Sequence, residues 1–313
     1  MPESRQRRRG LVIGCGGTLG AAWTVAALKA LQERLDWDPR EADLLAGTSA
    51  GAELVTMLGS GVSVDEIHRM QLGTTTHPAL IDHLSDAPGR FPPIPRPALG
   101  SLRLATTGLS LRAASGLLPV GRGDAAWLDR LATRLSPGRD WVPHPATWLI
   151  AMDYGNGHRV AFGSPGAPRA TISQALRASW GIPGWFPPVE IAGNRYVDGG
   201  VASTASVDLV AGAGLDEVVV LAPMASTGRI PGAGLDFVER LALRGWMSSG
   251  LDAEVATLEQ SGARVIRIDA TADDLAVMGP NFMDPSRRIA TLEHATVSTR
   301  KQIDDKVRHG AFA

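Results

Sequence analysis

Three short stretches of this chain carry residue types that could perform acyl chemistry together. The first is Gly47-Thr48-Ser49-Ala50-Gly51, a Gly-x-Ser-x-Gly pattern between the apolar run Leu44-Leu45-Ala46 and the helical stretch Glu53 to Leu58. A serine hydroxyl is a poor nucleophile until it is lifted out of the fold and its proton has an acceptor. A strand, a sharp turn and a helix provide the lift: Gly47 and Gly51 let the crowded backbone pass, and the helix N-terminus favours developing negative charge. Standing alone, the pattern is equally a plain turn whose serine caps a helix.

The second stretch is the glycine loop Gly14-Cys15-Gly16-Gly17-Thr18-Leu19-Gly20, between Leu11-Val12-Ile13 and the helical run Ala21 to Leu35. Unencumbered N–H groups at a helix start hold anions. A dinucleotide loop would need its third glycine where Leu19 stands, and the lysine of a P-loop is absent, so the reading that suits a nearby nucleophile is an oxyanion hole built on Gly16 and Gly17.

The third stretch is Asp198-Gly199-Gly200, fed by the short strand Arg195-Tyr196-Val197. By itself Asp-Gly-Gly is usually a surface turn. Its weight comes from the lack of an evident base elsewhere, since none of the seven histidines falls in a segment that reads as an active-site loop. His294, the one late candidate for a Ser–acid–His order, lies in a helical stretch among charged residues and is expected at the solvated surface.

The elements that must position these residues are legible around them. Two strand–turn–helix units in succession predict a parallel sheet covered by helices, an α/β fold. Trp148 to Met152 and Arg159 to Phe162, joined across Tyr154-Gly155-Asn156-Gly157, read as a hairpin. Val189 to Ile191, Arg195 to Val197, Val218 to Leu221 and Val265 to Ile268 read as further strands, and Leu235 to Leu243 and Leu251 to Gln260 as helices. Residues 73–123 differ in kind: Pro88, Pro92, Pro93, Pro95 and Pro97 break any regular element, and leucines alternate with Arg103 and Arg112. This segment is expected to be an irregular cap, read equally as a lipid-contacting surface or as a loop packed by its own leucines. The expected organisation is one domain over 10–313, with a basic disordered tail at 1–9.

Composition bounds the rest. With 313 residues and 44% hydrophobic content the chain can bury a sizeable core. Thirty-one basic against thirty-two acidic residues give a formal charge of −1, which lacks the footprint of a nucleic-acid binder. The apolar runs are far shorter than the roughly 20 residues of a membrane span. The single cysteine, Cys15, fits a reducing compartment, and the run before it is too short for a secretory core, so a cytoplasmic protein with at most peripheral membrane contact is expected.

Taken together, the glycine loop, Gly-Thr-Ser-Ala-Gly and Tyr196-Val197-Asp198-Gly199-Gly200 resemble the patatin-like phospholipases. Arg177-Ala178-Ser179, Ile182-Pro183-Gly184 and Phe186-Pro187-Pro188 are similar to that family's approach to its aspartate. The tail around Gly279-Pro280-Asn281 is similar to a bacterial branch. The resemblance covers roughly residues 10–70 and 145–222 and is poor over 73–123. It implies a three-layer α/β/α fold with a mainly parallel sheet, and a Ser49–Asp198 dyad without histidine, metal or cofactor. Its implied substrates are fatty-acyl esters of phospholipids, lysophospholipids or neutral lipids.

Trp180, Ile182, Trp185 and Phe186, flanking the approach to Asp198, are candidates for the acyl pocket or equally for the core. Two departures stand out. Cys15 occupies the first glycine of the family's Gly-Gly-Gly element, where positive φ would strain it, and Leu19 replaces a common arginine or lysine. An altered preference, rather than loss of activity, is expected. An acyltransferase or thioesterase would use the same acyl-enzyme, but malonyl-type transferases carry histidine where this chain has Thr48. A catalytically silent lipid-binding protein is the reading from another class. Oligomeric state is not legible.

Overall fold

The computed structural model describes residues 7–108, 110–226 and 245–312. The expected helix over Leu235–Leu243 lies outside them. The chain opens with β1 (Arg9–Ile13), α1 (Gly17–Leu35), β2 (Leu44–Thr48), α2 (Ala50–Gly59) and α3 (Val64–Leu72). Two short helices, α4 (Leu102–Ala105) and α5 (Leu111–Ser115), precede α6 (Ala126–Leu135). Then come β3 (Thr147–Asp153), β4 (Arg159–Phe162), α7 (Ile172–Ser179), β5 (Val189–Ile191), β6 (Asn194–Asp198) and β7 (Glu217–Ala222). The chain closes with α8 (Gly245–Gln260), β8 (Arg264–Asp269), α9 (Ala272–Met278) and α10 (Arg288–Arg308).

The strands form one sheet in which β8, β7, β1, β2 and β3 run parallel, while β4 and β6 pair antiparallel with β3 and β5 with β6. The parallel strands are buried on both faces and alternate between two cores with the period of two that a strand imposes. Leu11, Ile13, Leu45, Leu149, Val219 and Leu221 face the core shared with α1, α2, α7 and α10. Val12, Ala46, Trp148, Ile150, Val218 and Val220 face the core shared with α8 and the 3₁₀ segment Val207–Ala213. This is the mainly parallel three-layer α/β/α arrangement.

The register of β3 determines where the chemistry falls. Leu149 and Ile150 pair with both β2 and β4, whereas Ala151 and Met152 pair with both β4 and β6. Each residue has only two sides for pairing, so β4 takes one edge of β3 and β2 and β6 share the other. They meet head to head: Thr48 lies opposite Ile150 and Asp198 opposite the next residue, Ala151.

Residues 8 and 9 depart from the expected disordered segment. The Arg8 N–H donates to Asp216 Oδ2 at 2.8 Å, and Arg9 already belongs to β1, its Nε 2.6 Å from the buried carboxylate of Glu217. Paired backbone and a buried carboxylate hold these two residues in place, against the expectation of disorder through residue 9.

Candidate active site

Ser49 stands between β2 and α2 with φ 57° and ψ −120°, a left-handed conformation unusual for a non-glycine residue. Such geometry costs about 1–3 kcal/mol and persists only where its surroundings enforce it. Here they do. A Cβ on Gly47 would lie 2.3 Å from the Gly51 carbonyl oxygen, and one on Gly51 would lie 2.2 Å from the Ile13 carbonyl oxygen, so only glycine lets β1, β2 and α2 converge. The Ser49 N–H donates to Ser179 Oγ at 2.8 Å, and Ser179 Oγ in turn donates to the Ile150 carbonyl at 2.6 Å.

Asp198 closes β6 from the opposite direction. A Cβ on Gly199 would come within 2.8 Å of the Ile150 carbonyl oxygen and 3.1 Å of Thr48 Cγ2, which is how closely the ends of β2 and β6 abut. The Asp198 carboxyl is 4% exposed, and its Oδ1 accepts the Gly200 N–H at 2.7 Å. Burial raises its pKa from the usual carboxylate range to about 7, against the opposing pull of hydrogen bonding by the Ser49 hydroxyl and the Gly200 N–H, which favour the ionised form. An aspartate titrating there is matched to proton transfer near neutral pH.

Among the described residues no histidine lines the cavity that holds these two side chains. His83 is buried against Glu53 at 2.8 Å, His144 bonds the Ala42 carbonyl, and His294 bonds Asp274 at 2.8 Å. His294 keeps 36% of its side chain exposed while it bonds the buried carboxylate of Asp274, and it lies outside the lining of the Ser49 cavity. Among the described residues no group of three or more histidine, cysteine, aspartate or glutamate side chains is disposed to hold a metal ion.

In the glycine loop the N–H of Gly14 donates to Leu221, that of Cys15 to Thr204 and that of Leu19 to Phe282. Among the described residues no acceptor engages the N–H of Gly16 or Gly17, and both residues line the Ser49 cavity. Gly17 has φ 56°, while Gly16 at φ 176° is extended backbone. Cys15 is not among the residues with positive φ, so the expected strain at this cysteine is absent. Its thiol lies in the cavity wall, and burial together with the nearby Asp198 carboxylate pushes its pKa up. Leu19, in the first turn of α1, is fully buried in the core.

The cavity has a volume of about 170 Å³ and is lined by Cys15, Gly16, Gly17, Ser49, Ile182, Asp198, Gly200, Val201, Met224 and Phe282. Of the four pocket candidates only Ile182 reaches it. Trp180 ends α7 with its indole edge-on to Trp127 at 5.2 Å, lining a separate cavity with Glu53, Gln71 and Arg288. Trp185 and Phe186 stack on each other beneath Gly121 and Gly123, Phe186 lining a third hollow. Val201, Met224 and Phe282 were missed by the sequence reading. They come from three distant segments, and local signals existed for Val201, which follows Asp198-Gly199-Gly200, and for Phe282, which adjoins Gly279-Pro280-Asn281, but not for Met224.

A family model described as patatin-like phospholipase matches residues 11–211, which run from within β1 past β6 and include all three motifs. Among solved structures, that of VipD from Legionella pneumophila aligns at 16% sequence identity with a TM-score of 0.47, covering 96% of this chain and 67% of that one. No curated protein matches the chain. Among the described residues no helix is long and apolar enough to cross a membrane.

Proposed function

The chain belongs to the patatin-like phospholipase family, and from that premise we propose that it hydrolyses fatty-acyl esters of phospholipids, lysophospholipids or neutral lipids through a Ser49–Asp198 dyad and an acyl-enzyme. One observation carries this reading. A strained, glycine-flanked serine and a buried aspartate with a pKa of about 7 line one apolar cavity, and among the described residues no histidine joins them.

In the proposed reaction the Ser49 hydroxyl attacks the ester carbonyl carbon while Asp198 accepts its proton. The carbonyl oxygen becomes an oxyanion, and the N–H groups of Gly16 and Gly17 donate to it; one such donor is typically worth on the order of a hundredfold to a thousandfold in rate. Collapse breaks the ester C–O bond, and the departing alkoxide takes the proton from Asp198. Water then gives its proton to Asp198 and attacks the acyl-enzyme, releasing the fatty acid and returning the proton to Ser49. The helix dipole of α1 adds to the field at the oxyanion.

The test pairs a fluorophosphonate probe with p-nitrophenyl esters of increasing chain length, applied to wild type, Ser49→Ala and Asp198→Ala. Labelling and turnover in wild type, with neither in Ser49→Ala and turnover lost in Asp198→Ala, support the dyad. Failure of wild type to label or turn over any ester moves the lipid-binding reading to first place, and transfer to added alcohols or thiols that outpaces hydrolysis favours an acyltransferase.

A further inference from the structure

The segment between α3 and α6 is set apart from the rest of the surface by charge. From Ala87 to Gly123 it holds five arginines (Arg90, Arg96, Arg103, Arg112 and Arg122) and no lysine, aspartate or glutamate; removing those five charges from the net −1 leaves −6 on the remaining residues. Interleaved with the arginines are Phe91, Ile94, Leu99, Leu102, Leu117 and Leu118, each at least 43% exposed, with Ile94 at 86%. Monomeric proteins rarely present so many large apolar side chains in one stretch without something to cover them. Arg90 pairs with Asp284 and lies over the Phe91 ring, but Arg96, Arg103, Arg112 and Arg122 have no carboxylate partner among the described residues.

The segment also touches, at three places, elements that supply walls of the Ser49 cavity. At one end the Arg90 carbonyl accepts from Asn281, next to the cavity-lining Phe282. At the other, the Gly123 N–H donates to the Trp185 carbonyl at 2.7 Å, and the position of a Gly184 Cβ is 3.9 Å from Leu118, which ties the segment to the loop of Ile182. Between them α5 packs on the 3₁₀ turn Gly199–Val201 that follows Asp198. Three walls of the cavity, at Phe282, Ile182 and Val201, are thus each braced by this basic, apolar rim.

We infer that the rim formed by residues 87–108 and 110–123 is a docking surface for an anionic lipid interface, seating the mouth of the Ser49 cavity on the membrane. Exposed aliphatic and aromatic side chains enter the headgroup boundary while unpaired arginines meet lipid phosphates and anionic headgroups, the combination that makes interfacial binding depend on lipid charge. Charge complementarity selects this occupant over a second copy, because the same rim on two copies would oppose arginine to arginine. Pro92, Pro93, Pro95 and Pro97 lack the N–H groups that pairing with another strand would use. The surface is independent of the chemistry at Ser49, so the two inferences fail separately.

The test measures co-sedimentation of the full chain with vesicles of ether-linked phosphatidylcholine, with and without a minority of ether-linked phosphatidylglycerol; neither lipid has an ester to cleave. Wild type is expected to bind the anionic vesicles, to bind neutral ones weakly, and to be released by salt. Arg96→Gln, Arg103→Gln and Arg122→Gln together should weaken anionic binding by on the order of a hundredfold, at roughly fivefold per arginine. Phe91→Ser with Ile94→Ser should weaken it as well, and both variants should keep wild-type turnover of a water-soluble p-nitrophenyl ester. Equal binding to both vesicles, or undiminished binding by the arginine variant, overturns the proposal, as does loss of self-association in these variants in place of vesicle binding. Anionic binding without ester turnover keeps the surface and removes the hydrolase reading, and turnover without anionic binding removes the surface alone.

Discussion

The Ser49 N–H donates to Ser179 Oγ at 2.8 Å, so the strained nucleophile turn is held by the last residue of α7, 130 positions away in the chain. Ser179 is fully buried and donates its own hydrogen bond to the Ile150 carbonyl, in the stretch of β3 where β2 and β6 meet. One hydroxyl therefore fixes the nucleophile relative to the strand that also positions Asp198.

Ser179→Ala removes the acceptor and leaves a buried N–H without a partner. An unsatisfied buried donor costs about 1–3 kcal/mol, and relaxation of Ser49 towards ordinary φ would spoil the attack geometry. The variant is expected to melt several degrees lower and to lose kcat with KM little changed. Unchanged kcat on p-nitrophenyl esters would refute this positioning role.

Asp198 sets the pH dependence. As a base it must be ionised, so kcat/KM should fall as pH drops through about 7, with a limb that survives substitution of any histidine. Stability has the opposite sign. The folded pKa of about 7 lies above the unfolded value of 3.8, so the folded state binds the proton more tightly and stability is lost as pH rises from about 4 to about 7. Asp198→Asn abolishes that loss while still accepting the Gly200 N–H. It should be inactive yet more stable than wild type above neutral pH, by no more than about 4 kcal/mol. Denaturant melts at acid and alkaline pH check both halves.

Gly51 is the least replaceable position in the site. A methyl group there meets the carbonyl of Ile13, and backbone cannot swing aside as a side chain can. Gly51→Ala should cost about 3 kcal/mol or more and reach little soluble expression, whereas Gly61→Ala, with positive φ but open space, should cost about 1 kcal/mol or so. Comparable thermal stability of the two would contradict the packing argument.

Cys15 should be chemically silent in the native state. Only the thiolate reacts, and burial together with the Asp198 carboxylate disfavours it. Iodoacetamide should leave the folded protein unmodified by intact mass and label it once in denaturant. Rapid native labelling would mean that the cavity opens far more than its 7% exposure of Cys15 implies.

The sheet was legible because parallel strands buried on both faces spell continuous apolar runs; Leu11-Val12-Ile13, Leu44-Leu45-Ala46 and Val218-Val219-Val220-Leu221 need no partner to be recognised. Ser49 and Asp198 were legible as well: Ser49 stands where such a run, Leu44-Leu45-Ala46, breaks into glycine, and Asp198 where the half-exposed antiparallel strand β6 does. The cavity walls were not. Trp180 is near Asp198 in sequence, but α7 turns its indole towards Trp127, while Met224 and Phe282 reach Cys15 only through the crossover to β7 and the loop after α9. Helix α7 itself had an unread signal in Thr171 and Gln174, whose side chains form a capping box.

Phe282 offers a way to change substrate choice without touching the dyad. Its ring stands against Gly17 and Met224 at the side of the cavity where the glycine loop runs, and its carbonyl, accepting from the Leu19 N–H at 3.0 Å, remains in any substitution. Phe282→Ala therefore widens the cavity while leaving the loop's anchor in place. Because the ring is only partly buried, the cost should fall below the 3–5 kcal/mol typical of a core phenylalanine, roughly half of it. The expected result is a chain-length optimum shifted to longer or bulkier acyl groups, with kcat on the shortest esters kept within a few-fold of wild type. An unshifted optimum would mean that the acyl chain leaves the cavity past Ile182 and Val201 instead, and Val201→Trp should then be the substitution that shortens it.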